Sequence, residues 1–148
     1  MKARPSRRAL SALVAATLLI GGASAAHAHA ATSGRGRIVT ETIALTARAR
    51  NGIGGQATFV YNAHTNATTV IIFVAHLKSG SVHPALLRSG VCGGTGHAVA
   101  GVRMLRATAK GHALTQIVFP GGFDGRKLNV TIYQGPRVAT KVILCGSL

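Results

Sequence analysis

Carboxylates are nearly missing from this chain: Glu41 and Asp124 are the 2 acids among 148 residues that carry 17 Lys and Arg. Paired-carboxylate glycosidases, aspartic-type dyads, EF-hands and carboxylate cages for magnesium each need acids converging on one point, and these two are far apart in sequence. Tryptophan is absent, and no basic run is interleaved with aromatics, so sequence-specific nucleic-acid recognition is not expected. There is no Cys-x-x-Cys, no P-loop and no G-x-S-x-G elbow. After the first thirty residues, no segment shows the 3.6-residue period of an amphipathic helix. The apolar run from Ala9 to Ile20 falls short of the roughly 20 residues that span a bilayer.

That run reads instead as the core of a secretory signal peptide. Lys2, Arg4, Arg7 and Arg8 precede it, and small residues from Ala23 to Ala30 follow. Residues 1–30 are the expected leader, with cleavage after Ala25, Ala28 or Ala30. Ser6-Arg7-Arg8 also matches part of a twin-arginine signal, beside the commoner Sec route. Residues 31–36 are expected to be a flexible segment and 37–148 a single domain, secreted or held in the cell envelope, with no transmembrane anchor in the mature chain. Export favours a disulfide, and Cys92 with Cys145 is the one pair the sequence offers. Closing that loop stabilises a fold by about 4 kcal/mol in the chain-entropy model.

The positive charge belongs to the mature domain. Without the four leader cations, thirteen Lys and Arg remain against two acids, about +11. Such a field draws in polyanions with an affinity that falls as salt rises, and it also keeps a protein soluble without any partner. The expected partners are anionic polymers or lipid headgroups of the envelope. Arg88, Arg103, Arg106, Arg126 and Lys127 are the candidate contacts.

Short Val-, Ile- and Thr-rich runs punctuated by Gly, Asn and Pro predict seven strands, near 37–48, 56–61, 67–77, 98–106, 112–119, 127–134 and 138–145. The expected fold is all-β, a Greek-key, immunoglobulin-like two-sheet sandwich with one disulfide; a closed barrel is the alternative. Residues 78–97, with Pro84 and five glycines, read as a long loop. Val70 to Val74 is apolar on both alternating faces, which implies either a strand covered on both sides or a contact between two copies of the chain. Gly52-Ile53-Gly54-Gly55-Gln56-Ala57 has the letters of a dinucleotide fingerprint, but a strand pattern follows it, so a hairpin turn is expected.

Five histidines lie beyond the leader, His64, His76, His83, His97 and His112, and none forms a short-spaced pair. His83 and His97 would form a weak two-ligand copper or zinc site if the loop between them folded back. Cleavage after Ala28 would expose His29 as an N-terminal copper chelator.

The run from Gly80 to Cys92, containing His83-Pro84-Ala85 and Gly90-Val91-Cys92, and the ending Leu144-Cys145-Gly146-Ser147-Leu148 resemble the bacterial chordin-like (CHRD) domain family. The same features are distantly similar to copper/zinc superoxide dismutase. The resemblance covers about Ile43 to Leu148 and implies that the two cysteines are bonded. It also marks departures. Leu86 and Arg88 stand where a His-x-His is expected, and Val130, Ile132 and Tyr133 stand where a penultimate-strand histidine would be. Dismutase chemistry is therefore not expected, nor is a cofactor. The function read from the sequence is a non-catalytic, basic binding or structural module, with metal handling as the alternative.

Overall fold

The computed structural model describes residues 36–47, 52–138 and 140–148; the expected leader and most of the 31–36 segment lie outside these. Alternation of apolar and polar residues is converted directly into strands with one buried face. In β1 (Ile38–Ala47), Ile43 and Leu45 turn inward while Thr40, Thr42 and Ala44 turn outward. β2 (Gly54–Asn62) buries Ala57 and Phe59, and β3 (Ala67–Ala75) buries Val70, Ile72 and Val74. The others are β4 (Val82–Ser89), β5 (Arg103–Arg106), β6 (Ala113–Pro120), β7 (Leu128–Tyr133) and β8 (Val142–Ser147).

All ladders are antiparallel, and the order is β5-β4-β7-β8-β1-β2-β3-β6. β1 joins the two halves. It pairs with β2 from Ile38 to Leu45, and its last two residues, Thr46 and Ala47, then pair with Cys145 and Leu144 of β8. β8 can approach so closely because Gly146 has no side chain: a Cβ there would stand 2.3 Å from the Ala44 carbonyl oxygen. At the other side β5 and β6 come together without a shared ladder, leaving the sheet nearly closed.

The expected all-β domain is thus observed, with two corrections. The described residues form eight strands, not seven, and these make one nearly closed, barrel-like sheet rather than two separate sheets. The missed strand is β4, inside the segment read as a loop. Its burial is almost continuous from His83 to Leu87, so no alternation betrays it. Pro84 is tolerated because the ladder to β7 begins only at Ala85, leaving one side where a missing amide breaks no bond.

One apolar core fills the barrel. Phe59, Ile72, Leu87, Leu105, Ile117, Leu128, Ile132 and Leu144 are its largest fully buried members, drawn from seven strands. Burying each stabilises the fold by roughly 1.5–3 kcal/mol. β3 corrects a further expectation: Ile71 and Phe73 remain 40% and 36% exposed, so the strand is covered on one side only within a single chain. Of the segment at 52–57, Gly52 has the positive φ of a turn but Gly54 to Ala57 already belong to β2, so the expected hairpin turn does not extend over them; no helix follows.

Candidate anion-binding surface

The loop from Gly90 to Val102 crosses the outer face of β4, β7 and β8 and is fastened there at several points. Cys92 is bonded to Cys145, with Cα atoms 5.9 Å apart, and its amide donates to Ser147 Oγ at 2.9 Å. Asn129, buried on β7, donates through Nδ2 to the carbonyls of Ser89, Gly90 and Val91. Arg88 donates from Nε to the Gly96 carbonyl at 2.8 Å and from its guanidinium to Tyr133 Oη at 3.1 Å. Segment 97–99 then runs beside the end of β4: Ser89 N donates to His97 O and Val99 N to Leu87 O. Gly96 is needed in this crossing because a Cβ would collide with the Ser89 carbonyl.

Leu86 and Arg88 point outward on β4, toward this loop, and Asn129, Thr131 and Tyr133 are their outward neighbours on β7. Val130 and Ile132 face the core and are fully buried, so neither occupies the outward face on which the β4 residues lie. A cavity of about 280 Å³ remains beneath the loop, bordered by Arg88, Asn129, Thr131, Tyr133 and Cys145. Its polar groups are spent on one another and on the loop: Thr131 Oγ1 donates to Asn129 Oδ1 at 2.8 Å. Arg88 is accordingly a fastening of the loop rather than an open cation.

His83 and His97 are not brought together. His83 is buried at the start of β4; its Nδ1 meets the Tyr133 carbonyl at 2.9 Å and its Nε2 meets Ser81 Oγ at 2.8 Å. A carbonyl only accepts, so Nδ1 holds the proton and both ring nitrogens are engaged. His97 bonds through Nδ1 to Ser89 Oγ, at the far end of the same strand. Six residues of strand separate the two sites, about 20 Å. Among the described residues no three His, Cys, Asp or Glu side chains gather around a common point. His29 lies outside the described residues.

The cations divide between the two ends of the barrel. Arg37, Arg88, Arg103, Arg126 and Lys127 occupy the end where β4 stops and β7 starts. Arg126 lies over the Phe119 ring at 5.2 Å and donates to the Gly122 carbonyl. Asp124 sits in the same turn, and Glu41 lies in the first half of β1. Arg106 does not join this group. Strand alternation sets it on the face opposite to Arg103, and three residues carry it about 10 Å toward the other end.

At that other end lie Lys78, Arg106, Lys110, Arg137 and Lys141, with no carboxylate among the described residues there. Hydrogen bonds tie the 77–81 and 107–111 loops together, Leu77 N donating to Gly111 O and Ala107 N to Ser81 O, while Gln134 N to Lys141 O closes the β7–β8 hairpin. Between the 77–83 segment and the 134–143 hairpin lies a cleft of about 670 Å³. Leu77, Val82, Pro136 and Val142 give it apolar walls, and exposed Lys78 and Lys141 border it. Sequence reasoning named Arg106 alone from this end, because the five cations are scattered over 64 positions of chain, from Lys78 to Lys141.

No protein-family model matches this chain, and no curated relative matches it.

Proposed function

We propose that the protein is a secreted or envelope-associated, non-catalytic module that binds anionic polymers through the cationic end formed by Lys78, Arg106, Lys110, Arg137 and Lys141. The observation that carries this reading is the segregation of charge. Lys78 and Lys141 border an open cleft, Arg106, Lys110 and Arg137 lie at the same end of the barrel, and both described acids lie elsewhere, so the local field is not neutralised. The Cys92–Cys145 disulfide fits an oxidising compartment. It is also the pairing that a resemblance to chordin-like domains implies. The Greek-key part of the expected fold is supported by two returns of the chain: β6 lies beside β3, and β7 beside β4.

The apolar walls favour a second, narrower reading within the same site, an anionic lipid headgroup whose first methylenes enter the cleft. Metal handling by His83 and His97 is the weaker alternative, since both ring nitrogens of His83 are engaged and His97 bonds through Nδ1 at the opposite end of β4.

Binding of the purified protein to long-chain polyphosphate across a salt series tests the proposal. Affinity should fall steeply as salt rises and should drop when Lys78 and Lys141 are changed to Glu. Retention indifferent to salt, or to both substitutions, would overturn it.

A further inference from the structure

Among the described residues, the outer face of the β1-β2-β3-β6 half is a broad surface that carries no Lys, Arg, Asp or outward-facing Glu. None of the described Lys or Arg residues lies in these four strands, and their one acid, Glu41, has the inward parity of Ile43 and Leu45. Every outward position is apolar or a neutral Thr, Gln, Asn, Ala or Pro. Five of the eight large apolar side chains left exposed among the described residues share this face: Ile38, Ile71, Phe73, Leu114 and Val118. Cross-strand register groups four of them on β3 and β6, with Phe73 opposite Leu114, Ile71 opposite Gln116 and Thr69 opposite Val118, while Ile38 lies apart at the far corner of the face. Leu114 is 67% exposed.

We infer that this face docks a second copy of the same chain, sheet against sheet around a two-fold axis. A two-fold contact sets identical surfaces against each other, and a face without charge is the one part of a strongly cationic molecule that can meet itself without bringing like charges together. Two sheets stack at about 10 Å when their side chains interdigitate, which suits the alternation of branched and hydroxyl side chains here. Four strands of about eight residues give a face of about 19 by 26 Å, on the order of 500 Å² in plan. Side-chain relief raises the accessible area toward the roughly 800 Å² per partner of a standard interface. A lipid surface fits less well. Thr42 and Thr58, bonded to each other at 3.0 Å, stand with Gln56 and Gln116 on the same face, and hydrocarbon offers such groups no partners.

The inference does not depend on polyanion binding, and salt separates the two. Dimerisation brings two cationic domains together, so added salt should strengthen it, whereas polyanion binding should weaken. Sedimentation velocity of the purified protein, from low to about 0.5 M salt, should show a dimer whose fraction rises with salt. Ile71→Lys or Leu114→Lys should weaken self-association at least about tenfold, since an unpaired charge would be buried at the contact. Unchanged thermal melts of both variants at monomeric dilution would establish that the fold is intact. A monomer at all salt concentrations, or a dimer indifferent to both substitutions, would overturn the inference. So would partition of a monomer onto neutral phosphatidylcholine vesicles that is lost in Leu114→Lys, which would make the occupant a membrane.

Discussion

The Arg88 guanidinium reaches out of β4 to grip the Gly96 carbonyl, so that a residue with the chemistry of a ligand contact holds down the loop that covers its own strand. Arg88→Ala should therefore act on stability. Loss of hydrogen bonds from a half-buried charged donor costs roughly 1.5–3 kcal/mol. A urea titration should show this loss, while polyphosphate affinity changes far less than in Lys78→Glu. The reverse ranking would make Arg88 a true contact.

Asn129 should be the more sensitive position. Its side chain is buried, donates to three loop carbonyls and accepts from Thr131. Asn129→Leu would leave several polar groups without partners, and a loss of about 2–3 kcal/mol is expected. Proteolysis of the 90–102 loop should accelerate in the same variant, and a loop equally resistant to cleavage would show that the disulfide alone secures it.

Removal of the disulfide gives a separate measure of that fastening. Cys92→Ser with Cys145→Ser should destabilise the protein by about 4 kcal/mol, the loop-closure value for a separation of 53 residues. Thermal melts of the oxidised, reduced and double-Ser forms check this, and three coincident melts would refute it.

The two ends of the barrel should differ in function. Charge reversal at Lys78 and Lys141 should weaken binding of a polyanion more than reversal at Arg126 and Lys127. The second pair shares its turn with Asp124, and Arg126 is already committed to Phe119 and Gly122. Fluorescence anisotropy with labelled polyphosphate at fixed salt would rank them.

Metal titration separates the remaining alternative. Copper(II) and zinc(II) should bind no more tightly than to scattered surface histidines, and His83→Gln should lower stability rather than metal affinity, because both ring nitrogens serve the fold. Stoichiometric sub-micromolar binding lost on substituting His83 and His97 would contradict this.

Strand class was legible wherever one face was buried. β1 alternates Ile43 and Leu45 with threonines, and β6 alternates Ala113, Ile117 and Phe119 with outward residues. β4 was hidden because it is buried on both sides, one against the core and one beneath the 90–102 loop, and two-sided burial erases period two. The disulfide was legible from cysteine number alone. The cationic cleft was not, because Lys78 and Lys141 come to border one cleft only through the pairing of β4 with β7, which sets the segment before β4 beside the hairpin after β7 and which no local pattern records. The pairing of Arg88 with Gly96 was equally invisible: a basic residue in a glycine-rich stretch looks solvated until the chain is seen to fold back over it.

The position of the disulfide has a practical consequence for a basic protein exposed to proteases. Trypsin-like enzymes cut after Lys and Arg, and Arg103, Arg106, Lys110, Arg126, Lys127, Arg137 and Lys141 all fall between Cys92 and Cys145. A single cut after any of them leaves the two fragments covalently joined. A nicked molecule therefore migrates as one species until a reductant is added, and damage to the cationic end can accumulate without release of a fragment.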